Sequence, residues 1–474
     1  MLNNVSLYSN KNDNYRGSLS ATPIKHELSL RKQDKVSNTL GFGTSQLKYS
    51  SAQNVISTPV TQLRTKEEVQ KYQMVLGNCD AQTAKILPKL LKTGVLLSNN
   101  TDDKSTMLDN LFNICSKPRI SGLDANGILK ETLMTVDNPY LITQKFGNIP
   151  NQIVGAVIKN ENEAVLKQAE INQANGKPIK EGFIRNQDLD VISSCCVAAS
   201  IEFNLANKQP AEFARMVSEV TSPKHSISKT VKTENISPNM LEAIWLLDEF
   251  NVDYKTKSLD EVKVNINPDR NAIIRARIQT VDKDPGERSV VDVLLQSTFM
   301  NVGSQKTYNS LTDMRTGKYN PDPKGLTDIE KNLAEVLATG KRKISVTYQN
   351  LDDSGKIIGY ECDFKTMKQQ ITDALNMGEN VIIGYTYTDK NKIVQGGHEI
   401  TIIGIDKDKS GKEYFVCNDT DDDKSAPIYH QVDKFLPQIH HAGLPREALK
   451  EDVEFVQNWQ EMLNEYKQFN QKTV

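Results

Sequence analysis

A chain of 474 residues and 53.1 kDa, 38% hydrophobic and 25% charged, is long enough for more than one domain and ordinary for a globular protein with a proper core. Its formal charge of -2 gives no overall field toward nucleic acid or an anionic membrane, so neither is an expected partner. No stretch approaches the roughly 18 apolar residues a membrane-spanning helix needs.

The first segment, residues 1–65, is rich in Asn, Ser, Lys, Thr and Gln without a sustained apolar period. Such a composition cannot repay the entropy of ordering and predicts a disordered polar tail. Its start, "MLNNVSLYSNKNDNYRG", has no apolar run of the kind an export signal carries, so a cytoplasmic location, or export without such a signal, is expected. From Lys66 the texture changes. "EEVQKYQMVLG", "DAQTAKILPKLLKTGVLL", "STMLDNLFNICSK" and "DANGILKETLMTV" place apolar residues at helical spacing between Gly, Asn and Pro, predicting a helical region over 66–182 that ends in the charged "KNENEAVLKQAEINQANGKPIKEG".

In 183–445 the helical signals come first. "SSCCVAAS" predicts a helix starting at Cys195 and Cys196, with Ser193 or Ser194 as cap. "SPNMLEAIWLLDEFN" has Ser237 as cap and Pro238 at the first helical position. "LTDIEKNLAEVLATG" has a capping box of Thr327 and Glu330 and a stop at Gly340. The run "VVDVLLQSTFM" has no period that assigns it. Strand signals follow: "KISVTYQN", a "LDDSGK" turn, "IIGYECDF", then a helix "MKQQITDALNMG" and the strand "NVIIGYTYT". In "GGHEITIIGIDKDKSGKEYFVCNDT", Ile400 to Ile405 and Tyr414 to Cys417 read as a hairpin whose open end holds His398 and Asn418. Helices before antiparallel strands give an α+β fold. Residues 446–474, after Gly443 and Pro445, predict a C-terminal helix.

The six cysteines include one vicinal pair and no CxxC spacing, which suits a reducing compartment and argues against structural zinc. No nucleotide, metal or redox cofactor is expected. Asp406, Asp408, Ser410 and Gly411 begin like a calcium loop, but Cys417 stands where the closing Glu belongs, so the segment reads as a hairpin turn. His430, His440 and His441 are assigned to loop or surface.

A cysteine attacks a carbonyl as the thiolate, which a helix N-terminus and a neighbouring imidazolium both favour. Cys196, with Cys195 as the alternative, stands at such a helix start. His398 supplies the imidazole, Asn418 the group that orients it, and Gln187, with the backbone N–H of the nucleophile, an oxyanion donor. Asp419 is the alternative orienting residue.

In this chain order the residues resemble the papain-like cysteine proteases: "NQD" and then "SSCCVAAS", whose Cys-x-Ala-x-Ser matches at Cys196, "GGHEITIIG" at His398 and "YFVCND" at Asn418. The resemblance covers about half the chain. It implies a papain-like fold in which the nucleophile's helix packs on an antiparallel sheet, and a thiol hydrolase that cleaves peptide or isopeptide bonds in a polypeptide substrate through an acyl-enzyme. Cys196 and His398 stand 202 positions apart, against roughly 130–150 in papain-like enzymes, so an insertion is expected within 224–341. By position, the helical region before the nucleophile matches the inhibitory propeptide of that family. Two other readings use the same residues: a transglutaminase-like or deamidating acyl-transferase, favoured if Asp419 is the orienting group, and a catalytically degenerate domain that binds a protein partner.

Overall fold

The computed structural model of the chain describes residues 59–145, 193–232, 235, 250, 261–281, 287–311, 313–315, 325–422 and 425–449. Most of the polar tail, the charged stretch 159–182, Gln187, the helix expected after Ser237 and nearly all of the expected C-terminal helix lie outside the described residues; of the last, Arg446–Ala448 form a 3-10 turn.

The chain begins with α1 (Lys66–Gly77), α2 (Ile86–Lys92), α3 (Met107–Ser116) and α4 (Ala125–Asp137). Their starts follow from capping chemistry. Thr65 with Glu68, and Thr106 with Asp109, form reciprocal boxes that satisfy N–H groups the first turn leaves free. The chain resumes with α5 (Cys196–Lys208) and α6 (Pro210–Val220), the hairpin β1 (Ile227–Lys232) and β2 (Glu261–Ile266), α7 (Ala272–Val281) and α8 (Val290–Gly303). A short ladder of β3 (Tyr308–Asn309) and β4 (Met314–Arg315) precedes α9 (Asp328–Thr339). In α9 the predicted box and stop are both present: Glu330 accepts the Thr327 N–H at 2.8 Å, and Gly340 ends the helix at φ +68°.

One apolar core joins these helices across the undescribed 146–192. It runs from Val75, Leu87 and Leu111 through Phe203, Phe213, Leu294 and Leu337 to Ile382 of the sheet. Residues of α8 are buried all round, which is why "VVDVLLQSTFM" shows no period: a helix with no wet face has no amphipathic signal.

The rest is β5 (Ile344–Thr347), β6 (Gln349–Leu351), β7 (Ile357–Tyr360), α10 (Phe364–Asn376), β8 (Val381–Thr388), β9 (Val394–Lys407), β10 (Glu413–Asn418), β11 (Ile428–Gln431), the single turn α11 (Val432–Phe435) and β12 (Ile439–Leu444). Six of the strands form one antiparallel sheet in the order β11-β10-β9-β8-β12-β5. The fold mixes helices with antiparallel sheets, but the hairpins β1–β2 and β3–β4 fall among the helices, so the strands do not simply follow them as expected. The helical core meets one face of this sheet through Ile382 and Ile403. On the other face Val381, Ile383, Ile400, Ile402, Phe415 and Cys417 form a second core with Met367 and Ile371 of α10. No helix among the described residues is long and apolar enough to cross a membrane.

The β9–β10 ladder contains the irregularity that matters most. Phe415 faces Ile405 and Val416 faces Gly404, but Cys417 faces Ile402 and Asn418 faces Thr401. Ile403 is therefore an extra residue on β9, a β-bulge. A one-residue shift moves side chains to opposite faces of a sheet. Below the bulge, Cys417 and the residue two further on share the face of Ile402, Ile400 and His398, while Asn418 shares the face of Thr401 and Glu399.

Candidate active site

Cys196 is the first residue of α5, and the helix that follows is buried from Val197 to Ala206, so packing on all sides fixes the direction of its N-terminus. The serines do not cap it as expected. The N-cap position is Cys195, with no side-chain cap bond, because both serines bond Asp313 instead. The Ser193 hydroxyl donates to Asp313 Oδ2 at 2.7 Å, and the Ser194 hydroxyl donates to the Asp313 carbonyl at 2.6 Å. In the first turn of a helix the backbone N–H groups have no partner within the helix. That of Cys196 adds to the positive end of the helix beside its half-buried thiol.

Cys195 stands one residue earlier in a wholly different environment. Its thiol is fully buried, donates to Asp313 Oδ1 at 3.1 Å and lies 3.1 Å from the Tyr308 hydroxyl. Arg288 pairs with the same Asp313 oxygen at 3.0 Å and donates to Ser193 Oγ at 3.0 Å. Burial, and next the charge of Asp313, push the Cys195 thiol far up from its ordinary range. Nothing in the sequence flagged this cluster, whose members come from four separate segments. It anchors the turn leading into Cys196. Arg288→Met would leave the Asp313 carboxylate buried without its guanidinium, at an expected cost of about 3–5 kcal/mol, measurable as a lower midpoint of urea unfolding.

His398 lies inside β9, four residues past its start at Val394, rather than at the mouth of a strand. Its Nε2 is 2.8 Å from Asp419 Oδ1. The same oxygen accepts the Asp421 backbone N–H at 2.9 Å, which holds the carboxylate in place. The Cys196 thiol stands near enough to the ring to favour its charged form. Burial by itself would lower the affinity of this ring for a proton. The Asp419 bond, and then the nearby Cys196 thiol, outweigh it and raise the His398 pKa well above the usual imidazole value. Burial acts on Asp419 in the opposite sense, and the bond and charge of His398 overcome it, so Asp419 titrates below the usual carboxylate range.

Asn418 does not reach His398. It is 2% exposed, and its Nδ2 has no hydrogen-bond partner among the described residues. The bulge is the physical reason. Counted back from the hairpin turn as a regular ladder, Asn418 would face Ile402 and share the side of His398. With Ile403 extra, Asn418 faces Thr401 and the next residue, Asp419, takes the His398 side. Of the expected site residues, the structure thus brings together Cys196, His398 and Asp419, and sets Cys195 and Asn418 apart in other surroundings.

Tyr385 pairs with His398 across the β8–β9 ladder and meets its ring edge-on, centroids 5.7 Å apart. Phe435 backs Tyr385 at 5.1 Å, so the imidazole rests on an aromatic wall. Beside it, Gly396 and Gly397 leave the strand surface clear of side chains; a Cβ on Gly396 would meet nothing within 4 Å. Residues after α4 hold the Asp419 loop from behind. The Gln144 N–H donates to the Thr420 carbonyl at 3.0 Å, the Thr420 hydroxyl to Gln144 Oε1 at 3.1 Å, and the Thr143 hydroxyl to the Thr420 carbonyl at 3.1 Å. Arg288 Nε donates to the Gln144 carbonyl at 3.1 Å, which links the anchor of Cys196 to that of Asp419.

His430, His440 and His441 are in strands rather than loops. His430 belongs to β11, stacked on Phe435 at 4.2 Å, and His440 and His441 belong to β12. A thiol at a helix N-terminus, beside an imidazole that is hydrogen-bonded to a carboxylate, can hold a thiolate–imidazolium pair and move one proton between sulfur and an incoming group. No known protein family's sequence profile matches the chain, and no curated protein is significantly similar to it in sequence.

Proposed function

We propose that the chain is a papain-like cysteine hydrolase that cleaves peptide or isopeptide bonds through a thioester acyl-enzyme. The observation that carries this reading is the series Cys196–His398–Asp419, with the thiol at the start of α5. Cys196 sulfur attacks the substrate carbonyl carbon, the carbonyl oxygen gains negative charge, and the Cys196 N–H stabilises it. Gln187, outside the described residues, is the side chain proposed to assist. The imidazolium of His398 then gives its proton to the amide nitrogen as the C–N bond breaks and the amine leaves. Water, deprotonated by His398, attacks the thioester, releasing the acid and restoring the thiol. An extended polypeptide laid along Gly396 and Gly397 is the substrate form that the clear strand surface favours.

The carboxylate at Asp419 favours a second reading, a deamidating or transglutaminase-like acyl-transfer by the same residues. The helical region 66–145 shares its core with α5 and α6, so its removal would expose that core; this favours a permanent part of the domain over a detachable cover. Thiol alkylation with peptide mapping tests the chemistry. At pH 6 an iodoacetamide-type probe is expected to label Cys196 fastest of the six cysteines, and His398→Ala to slow that labelling at least tenfold. Products then separate the readings: new amino termini mean hydrolysis, whereas ammonia released with no chain cleavage means deamidation or transamidation. Labelling at Cys196 that ignores His398 would sink both in favour of a binding module.

A further inference from the structure

The most unusual polar cluster away from Cys196 lies on the sheet face opposite His398, where β12 meets the first turn of α9. Consecutive residues of a regular strand point to opposite sides, yet His440 Nδ1 and His441 Nδ1 lie 2.9 Å apart. The register explains it. Ile439 pairs with Tyr385 and His441 with Gly384, so His440 is extra on β12 and bulges. The sheet makes room for the second ring: a Cβ on Gly384 would stand 2.2 Å from His441 Cε1, so only glycine fits there. Asp328, the first residue of α9, completes a set of three residues whose ligand atoms all lie within 4.8 Å of one another.

The surroundings resemble the outer shell of a metal centre. His441 Nε2 is 2.6 Å from the buried Glu399 Oε1, which fixes the ring with Nε2 as the protonated nitrogen; its Nδ1 lone pair faces His440 Nδ1, where an ion would take the place of the proton the two rings share. Lys331 stands 3.5 Å from the other Glu399 oxygen and balances its charge. Asp328 Oδ1 lies 3.2 Å from His441 Nε2, and its side chain keeps 29% exposure, which gives an ion a way in from solvent. Two imidazoles and one carboxylate suit a borderline divalent ion such as zinc, with further positions left to water.

We propose that His440, His441 and Asp328 form a binding site for a divalent transition-metal ion of the zinc class, which ties α9 to β12 on the face of β9 opposite His398. This proposal is independent of the reaction assigned to Cys196. The test uses the full chain carrying Cys196→Ala, so that the Cys196 thiol cannot contribute a ligand, stripped with chelator and dialysed against zinc chloride. One equivalent of zinc bound at micromolar concentration is expected, with Tm rising as free zinc is raised. Cobalt in its place is expected to give a visible spectrum without thiolate charge-transfer bands. His440→Ala is expected to weaken zinc binding at least tenfold, and the isosteric Asp328→Asn to weaken it and to lower the zinc-bound Tm by more than the metal-free one. No saturable binding in the micromolar range, binding unaltered by both substitutions, or binding lost in His398→Ala instead would overturn the assignment.

Discussion

Asp419→Asn is expected to reduce turnover by about 10²–10⁴-fold, the scale on which a histidine base loses activity when its orienting carboxylate is neutralised. Asn418→Ala is expected to cost less than tenfold. The contrast follows from strand parity: the carboxylate 2.8 Å from Nε2 is on the His398 side, whereas Asn418 faces Thr401. The pH profile gives an independent reading with a definite sign. Asp419 raises the His398 pKa, so the protonated ring that the thiolate pairs with persists to higher pH. Its alkaline limb therefore lies above the usual imidazole value of about 6.5, and Asp419→Asn is expected to move that limb downward. The double exchange Asn418→Asp with Asp419→Asn keeps composition and charge but puts the carboxylate on the wrong face, so it is expected to be as impaired as Asp419→Asn alone. Recovery in the double exchange would show that side-chain reach, rather than the bulge, selects the orienting group.

How much of this was legible beforehand depended on the signal each feature leaves in the chain. Caps and stops are local, so α9 could be read from Thr327, Glu330 and Gly340, and the start of α5 was placed to within one residue. The order Cys196, His398, then a polar group one strand later is a feature of sequence, and the residues that the structure brings together were in view. Which of Asn418 and Asp419 lies beside His398 was not, because a bulge changes parity without changing composition: Ile403 is as apolar as its neighbours in "TIIGI". The same blindness hid the pairing of His440 with His441, which a regular strand would have sent to opposite faces. The helix α8 was unreadable for the reverse reason, since burial on every side erases the period. The Asp313 cluster joins Ser193, Ser194, Cys195, Arg288 and Tyr308, contacts made by tertiary structure alone.

The vicinal cysteines provide the second large effect, because one covalent neighbour separates two opposite roles. Cys196→Ala is expected to lower turnover by at least about 10³-fold, since without the nucleophile only positioning and oxyanion stabilisation remain. Its unfolding free energy should stay within about 1 kcal/mol of the parent, because a half-buried thiol at a helix start contributes little packing. Cys195→Ala should do the reverse. It removes a fully buried sulfur that bonds Asp313 and lies against Tyr308, which costs about 1–3 kcal/mol through the cavity and the lost polar contacts. Turnover should remain within about tenfold of the parent, that loss arising from a looser turn before Cys196. Kinetics and urea unfolding on the two variants give four numbers, and the assignment requires the activity loss and the stability loss to fall on different residues. If Cys195→Ala abolishes turnover while Cys196→Ala retains it, the nucleophile is the buried thiol and the helix N-terminus does not serve the chemistry.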